Sequence, residues 1–116
     1  MKFRSIAKAG LTLALLLAMV GMLSAAAPIK VGIVNLPPEE SGYRQANVED
    51  MNAVFSSANG YDARQTNTAD NSEQIAAAQG YIRDGVNYLL ISAANASGRD
   101  NDLQSAKKAG VTEFLF

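Results

Sequence analysis

Three glycines recur at intervals of 25 residues, and each separates a helix-like stretch from a strand-like one. They are Gly60, Gly85 and Gly110, and the chain from each onward reads "GYDARQ", "GVNYLLIS" and "GVTEFLF". A glycine just past a helix end adopts the left-handed backbone conformation without the steric cost of a Cβ atom. The interval matches one helix plus one strand, and the side chains themselves do not repeat. The spacing therefore predicts alternating strands and helices.

Four strands are predicted, at residues 29–35, 61–66, 86–92 and 111–116. The first and third are nearly continuous apolar runs, "IKVGIVN" and "VNYLLIS", which is typical of parallel strands covered on both faces. Strand-helix-strand units with short connections form parallel sheets with right-handed crossovers. We therefore predict an α/β fold with a parallel, doubly wound sheet of strand order 2-1-3-4, which is half of a Rossmann-like domain.

The first 26 residues have the layout of a secretory signal peptide. Lys2, Arg4 and Lys8 precede the apolar run "LTLALLLAMVGML" at 11–23, and the small residues "SAAA" follow it. The alternative is an uncleaved membrane anchor, but a spanning helix needs about 20 apolar residues and this run is shorter. We expect cleavage after Ala26, export to the periplasm or the exterior, and a mature domain at 27–116.

Composition excludes several classes of function. The 116 residues include no cysteine and no histidine, which removes thiol nucleophiles, zinc-thiolate sites and the usual general base. We therefore predict a protein that is not an enzyme and has no cofactor or metal. Removing the three cations of the leader leaves seven basic and eleven acidic residues, a net charge of −4. A mildly acidic chain is not typical of a nucleic-acid binder.

Ligands of doubly wound sheets bind beyond the carboxyl ends of the strands, where the strand order reverses. With order 2-1-3-4 this point lies between strands 1 and 3, so the loop "LPPEESGYR" meets the loop "SAANASGR". These loops carry carboxylate, hydroxyl, guanidinium, amide and aromatic groups, which suit a sugar because they pair with its hydroxyls and cover its C–H face. The candidate ligand-binding residues are Glu40, Ser41, Tyr43, Arg44 and Asn95.

Other interpretations of the same residues remain open. Ser41 can simply cap a helix, Tyr43 can pack on that helix, and Arg44 can pair with Glu40. Glycine-rich phosphate loops are missing from the sequence, and the adjacent carboxylates at 39 and 40 are poorly placed for paired catalysis. The acidic pairs at 49–50 and at 100 and 102 are predicted to lie on solvated helix faces rather than to bind a metal.

The order of these motifs resembles the periplasmic sugar-binding proteins of ABC transporters, and most closely the galactofuranose-binding type. The resemblance rests on the run Ser41–Gly42–Tyr43–Arg44, the helix start near Gln74 and Ile75, the strand that follows "GV" and ends near Ser92, and the ending "AKKAGV". It covers nearly all of residues 28–116. Two departures are Ala93, where proline is common, and Thr66, where aspartate is common.

The resemblance implies a type I periplasmic-binding fold, in which two α/β lobes close on one monosaccharide and hand it to an ABC permease in the inner membrane. Residues 27–116 would then be the first part of the first lobe. The apolar ending "FLF" at 114–116 also suggests a fragment, because no helix follows to cover it. The alternatives are a ligand-sensing or interaction module of the same fold, or a remnant without function.

Overall fold

The computed structural model describes residues 26–116, so nearly all of the predicted signal peptide lies outside it. Four strands alternate with three helices, in the order β1 (Ile29–Asn35), α1 (Gly42–Val54), β2 (Tyr61–Asn67), α2 (Asn71–Arg83), β3 (Tyr88–Ile91), α3 (Asp100–Ala109) and β4 (Thr112–Leu115). Short 3₁₀ turns at Pro38–Glu40 and Ser57–Asn59 precede α1 and β2. In this part of the chain no helix is both long and apolar enough to span a membrane.

The four strands form one parallel sheet in the order β2-β1-β3-β4. This confirms the predicted fold class and strand order. Val34 of β1 lies beside Ile91 of β3, and the next backbone N–H, that of Ser92, donates to the Val34 carbonyl at 2.9 Å. The carboxyl ends of β1 and β3 are therefore neighbours, as the predicted ligand position requires.

The core lies between the sheet and the pair α2 and α3. Buried side chains of β1, β3 and both helices form one cluster there, made up of Val34, Ala78, Tyr81, Ile82, Val86, Leu89, Ile91, Ala106 and Val111. Tyr81 packs directly on Gly32 of β1, where even a Cβ atom would stand 2.5 Å from the ring. Helix α1 lies over the other face, where Phe55 meets Tyr61 of β2 edge-on at 5.1 Å between ring centroids.

The predicted ends of the helices are mostly confirmed. Gly60, Gly85 and Gly110 all have positive φ angles, of 87°, 75° and 73°, which is the left-handed conformation expected from the glycine spacing. Gly85 and Gly110 follow the ends of α2 and α3, whereas Gly60 follows the 3₁₀ turn Ser57–Asn59 rather than α1. Asp70 caps α2 by accepting the N–H of Glu73 at 2.9 Å. The apolar residues Val48, Met51, Phe55 and Ala58 recur at helical spacing and predict a helix through 58, but α1 ends at Val54 and Ala58 is exposed.

The α1 side of the sheet is only partly covered. Helix α1 and the residue after it contact β1 and β2, through Asn47 to Asn35, Asn52 to Gln65 and Phe55 to Tyr61, and no such contact joins α1 to β3 or β4 among the described residues. The large apolar side chains that remain substantially exposed there are Ile29, Tyr88, Phe114 and Phe116. The rings of Tyr88 and Phe114 lie 6.3 Å apart and form the centre of this apolar surface.

Candidate functional site

The loop after β1 is shaped by a 3₁₀ turn and a helix cap. Ser41 follows the turn in an extended conformation and its hydroxyl oxygen accepts the backbone N–H of Arg44 at 3.2 Å. A serine at this position satisfies one of the free N–H groups of the first helical turn. The capping interpretation of Ser41 is thus correct. Its hydroxyl hydrogen still allows it to act as a donor toward a ligand.

Arg44 joins the two loops that the sequence placed at the switch point. One terminal nitrogen of its guanidinium group donates to the Ser92 hydroxyl at 2.9 Å, and its Nε lies 3.6 Å from a carboxylate oxygen of Glu40. Ser92 is buried at the end of β3. The guanidinium group is therefore held between the ends of β1 and β3, and its fork of five N–H donors offers further hydrogen bonds at that edge.

Tyr43, in the first turn of α1, is largely exposed, with 68% of its surface accessible to solvent. The Arg44 guanidinium carbon lies 5.4 Å from the centre of its ring, within the range of a cation–π contact. An exposed ring beside hydrogen-bonding groups matches what a sugar ring needs, because its C–H face is apolar and its rim is polar. The structure thus brings Glu40, Ser41, Tyr43 and Arg44 together at one end of the sheet.

Asn95 lies in the loop after β3, but its side chain makes a local turn. Its carboxamide oxygen accepts the backbone N–H of Ser97 at 2.8 Å, and its backbone carbonyl accepts Nε of Arg99 at 3.3 Å. Within residues 26–116, no hydrogen bond connects Asn95 to the four residues of the first loop. Asn95 is exposed at the same end of the sheet and keeps two amide N–H donors.

A buried glutamine holds the strand ends beneath this site. The carboxamide nitrogen of Gln74 lies 3.0 to 3.4 Å from the carbonyls of Asn35, Thr68 and Ser92, which follow or end β1, β2 and β3. Its oxygen accepts the N–H of Ala94 at 2.9 Å and a guanidinium N–H of Arg99. Sequence analysis assigned Gln74 no such role. Gln74 lies four positions before Ala78, and both side chains are buried on the same side of α2, so helical spacing is the signal that could have found it.

Arg99 and Asp102 form an ion pair that is almost fully buried. The nitrogen–oxygen distance is 3.4 Å, and the exposed fractions of the two side chains are 5% and 0%. Asp102 also accepts a hydrogen bond from Gln79 at 2.7 Å. The prediction that Asp102 lies on a solvated helix face was therefore wrong. The pair anchors the loop after β3, since Arg99 also contacts Asn71 and Gln74 of α2.

A chain of side-chain amides orients α1 over the sheet. Asn35 donates to Asn47 at 2.8 Å and to Gln65 at 3.2 Å, while Gln65 donates to Asn52 at 2.9 Å. Asn35 is fully buried at the end of β1. These bonds connect β1, β2 and α1 and so set the position of the helix that carries Tyr43 and Arg44.

The charged and hydrogen-bonding groups of this end suit reversible binding of a polar molecule. They comprise a guanidinium, a carboxylate, a hydroxyl, an amide and an aromatic ring, which together offer both donors and acceptors. Among the described residues, no group of three or more acidic side chains is arranged to hold a metal ion.

The amino-acid sequence of this chain is similar to that of a known protein. It is 34% identical, over 86 residues, to the fructose import binding protein FruE of Bifidobacterium longum. The chain resembles sugar-import binding proteins. This confirms the family resemblance drawn from the sequence. The match covers 72% of this chain but only 26% of the relative, so the chain spans about a quarter of that protein's length. No family model matches the chain.

Solved structures show the same relationship. A Mycobacterium smegmatis protein in complex with β-D-fucofuranose superposes with a TM-score of 0.67 at 29% identity, over 75% of this chain and 28% of that one. An ABC transporter solute-binding protein from Burkholderia multivorans gives a TM-score of 0.62 at 17% identity, over 78% and 33%. The second likeness shows a shared fold. All of these proteins are several times longer than the segment they share with this chain.

Proposed function

We propose that residues 27–116 form the first part of one lobe of a sugar-binding protein of an ABC transporter. The observation that carries the proposal is the position of Arg44, held by Ser92 and Glu40 between the ends of β1 and β3. That is the edge at which doubly wound sheets bind ligands. The similarity to a fructose import binding protein and to a fucofuranose complex supports a sugar as the ligand.

In this proposal a monosaccharide binds against the first loop without any bond being made or broken. Arg44 donates to adjacent hydroxyls in a forked geometry, and Glu40 accepts from them. The ring of Tyr43 covers the C–H face, while Ser41 and the amide of Asn95 contact the rim. The remaining contacts come from a second lobe, which closes over the sugar by a hinge motion.

The proposal extends to the cellular setting. Removal of residues 1–26 as a signal peptide delivers the protein to the periplasm, where its partner is the ABC permease of the inner membrane. The similar proteins are import-binding and solute-binding proteins rather than enzymes, which supports a binding role without catalysis. No cofactor and no nucleic acid take part.

A chimera tests the ligand site directly. In it, residues 28–116 replace the matching segment of the Bifidobacterium longum protein, which supplies the missing part of the binding site. We expect calorimetry to detect fructose binding, and Arg44→Ala or Tyr43→Ala to weaken it by about 30-fold, since each removes contacts worth about 2 kcal/mol.

The matched control is Arg83→Ala, because Arg83 is exposed in the last turn of α2, far along the chain from the site. Its affinity should stay within about twofold of the unaltered chimera, as for a surface change away from the ligand. A folded chimera that binds no sugar, or one in which Arg44→Ala has no more effect than Arg83→Ala, contradicts the proposal.

A further inference from the structure

The dipeptide Asn59–Gly60, between α1 and β2, is the one place in the sequence where glycine follows an asparagine. The backbone nitrogen after an asparagine can attack the side-chain carboxamide, and it does so most readily in glycine, because no Cβ atom hinders the approach. Asn59 is exposed and ends the 3₁₀ turn Ser57–Asn59. The reactive pair therefore lies before the start of β2, away from the strand ends where the candidate ligand residues meet.

The fold holds both reacting groups in hydrogen bonds that oppose this attack. The carboxamide nitrogen of Asn59 donates to the carbonyls of Ala53 at 3.2 Å and Val54 at 3.0 Å. The Gly60 N–H, which must lose its proton to attack, donates to the Ser57 carbonyl at 3.0 Å. The side chain has to leave the end of α1, and the turn has to open, before the nitrogen of Gly60 can reach the carboxamide carbon.

From these contacts we propose that Asn59 is a site of spontaneous deamidation, and that opening of the turn Ser57–Asn59 sets its rate. The Gly60 nitrogen gives its proton to hydroxide and bonds to the carboxamide carbon of Asn59. The bond from that carbon to the side-chain nitrogen breaks, and ammonia leaves with a proton taken from water, which restores the hydroxide. Water then opens the resulting succinimide ring, which leaves aspartate or isoaspartate at position 59. Sugar binding plays no part in this step, because every group involved belongs to the connection between α1 and β2.

The product cannot restore the contacts of the turn. A carboxylate has no N–H to donate, so the bonds to the carbonyls of Ala53 and Val54 are lost. It also places a negative charge beside the negative end of the α1 dipole. Isoaspartate in addition lengthens the main chain by a methylene group next to Gly60, whose carbonyl accepts the Ile29 N–H at 3.0 Å. Deamidation therefore weakens the connection from α1 to β2 permanently.

Mass spectrometry of the tryptic peptide 45–64 tests the site, because that peptide also contains Asn47 and Asn52 as internal references. The chain is held at mildly alkaline pH in buffer and, in parallel, in urea. In urea we expect Asn59 to be deamidated first, since valine and alanine follow the other two asparagines. In buffer its deamidation should be at least about 10-fold slower, because the reaction requires local opening of the turn.

Two variants at Ser57 change the opening of the turn in opposite directions. Ser57 is the first residue of the turn, and Ser56 before it is extended, with φ −93° and ψ 160°, which is a backbone setting that suits proline. Ser57→Pro should slow deamidation in buffer about threefold and Ser57→Gly should speed it by about the same factor, because they narrow and widen the conformations of the open turn. Neither variant should change the rate in urea.

The proposal is wrong if Asn59 is deamidated as fast in buffer as in urea, or if Asn47 or Asn52 is deamidated ahead of it in urea. Equal rates for the two Ser57 variants in buffer would also overturn it. The deamidated chain, separated from the parent by ion exchange, should unfold at a lower urea concentration than the parent. An unchanged midpoint would contradict the weakened connection between α1 and β2.

Discussion

At the scale of single residues, the need for a hydrogen-bond partner is strictest for buried polar groups. The carboxamide nitrogen of Gln74 lies within hydrogen-bond distance of three backbone carbonyls at the strand ends and has two N–H groups to donate, and Arg99 with Asp102 forms a buried ion pair beside it. A buried polar group without a partner costs more free energy than its hydrogen bond contributes. These three side chains therefore matter more for the shape of the site edge than any exposed residue does.

Replacement of Gln74 should be strongly destabilising. We expect Gln74→Ala to lower the free energy of unfolding by about 3 kcal/mol, because it removes the donor to buried carbonyls at the strand ends and one of the acceptors of Arg99. Urea unfolding followed by circular dichroism measures the change. Gln104→Ala, at an exposed position of α3, is the control and should change stability by less than about 0.5 kcal/mol. Equal effects of the two variants would disprove the role assigned to Gln74.

Glu113 makes stability depend on pH. Both of its carboxylate oxygens are shielded from water and lack a hydrogen-bond partner among the described residues. Burial raises the pKa of its carboxyl above the ordinary value of 4.5, the Asp102 carboxylate raises it further, and Arg99 opposes the rise. The folded chain therefore holds this proton more tightly than the unfolded chain, and the resulting stability is lost as pH rises from 4.5 through the raised pKa.

Glu113→Gln removes this penalty. At about pH 7 we expect the variant to be more stable than the parent by less than about 1 kcal/mol, because Glu113 as a whole is only partly buried and the charge of Arg99 offsets part of the burial penalty. The advantage should disappear at about pH 3.5, where the parent carboxyl is protonated. Urea unfolding at the two pH values measures the difference in the free energy of unfolding. Glu39→Gln, at an exposed position, is the control. A variant less stable than the parent at neutral pH would show that the carboxylate has a favourable partner.

At the scale of elements, β1 and α2 are joined by a contact that only glycine permits. Gly32 faces the Tyr81 ring across the main core, and the Tyr81 hydroxyl shares a hydrogen bond of 2.7 Å with Thr66 of β2. The ring is thus held against β1 on one side and bonded to β2 on the other. A methyl group added at Gly32 would therefore force α2 away from the sheet.

Gly32→Ala should cost about 2 kcal/mol of unfolding free energy, which is typical of overpacking a core. In a Tyr81→Ala background the same change should cost less than about 1 kcal/mol, because the opposing ring is gone. A double-mutant cycle with thermal or urea unfolding measures both. Gly42→Ala is the control, since no heavy atom lies within 4 Å of the added methyl position. Similar costs in both backgrounds would mean that the ring is not the obstacle.

At the scale of the whole molecule, the candidate ligand residues of the first loop lie at one end of a single sheet. In the proposed binding mode they contact a sugar from one side only, because none of the described residues faces them from the other side. Desolvation of a sugar is then not offset by opposing polar groups.

The chain alone should therefore bind sugars poorly. We expect no affinity tighter than about 1 mM for fructose, galactose, arabinose or ribose when residues 27–116 are titrated in a calorimeter. The chimera described above is the positive control, because it supplies the opposing lobe. Micromolar binding by the isolated segment would mean that one loop is sufficient for recognition.

Much of the fold is readable from local pattern. The apolar run "IKVGIVN" predicts β1 to the residue, and the glycine at 110 marks the end of α3 because a left-handed cap needs no tertiary partner. Leu103, Ala106 and Ala109 recur at helical spacing and predict a buried stripe on α3, which is only partly right. Ala106 is buried, but Leu103 is 40% exposed, and Asp102 is buried instead in its ion pair with Arg99.

The sequence by itself determined the alternation of strands and helices, the parallel sheet and the edge where the candidate ligand residues meet, because these depend on periodicity, caps and chain connectivity. Only the tertiary structure decided which polar side chains are buried and which loop residues meet. The bonds from Gln74 to Asn35 and from Arg44 to Ser92 span 39 and 48 residues, and residue pattern carries no record of such distant partners.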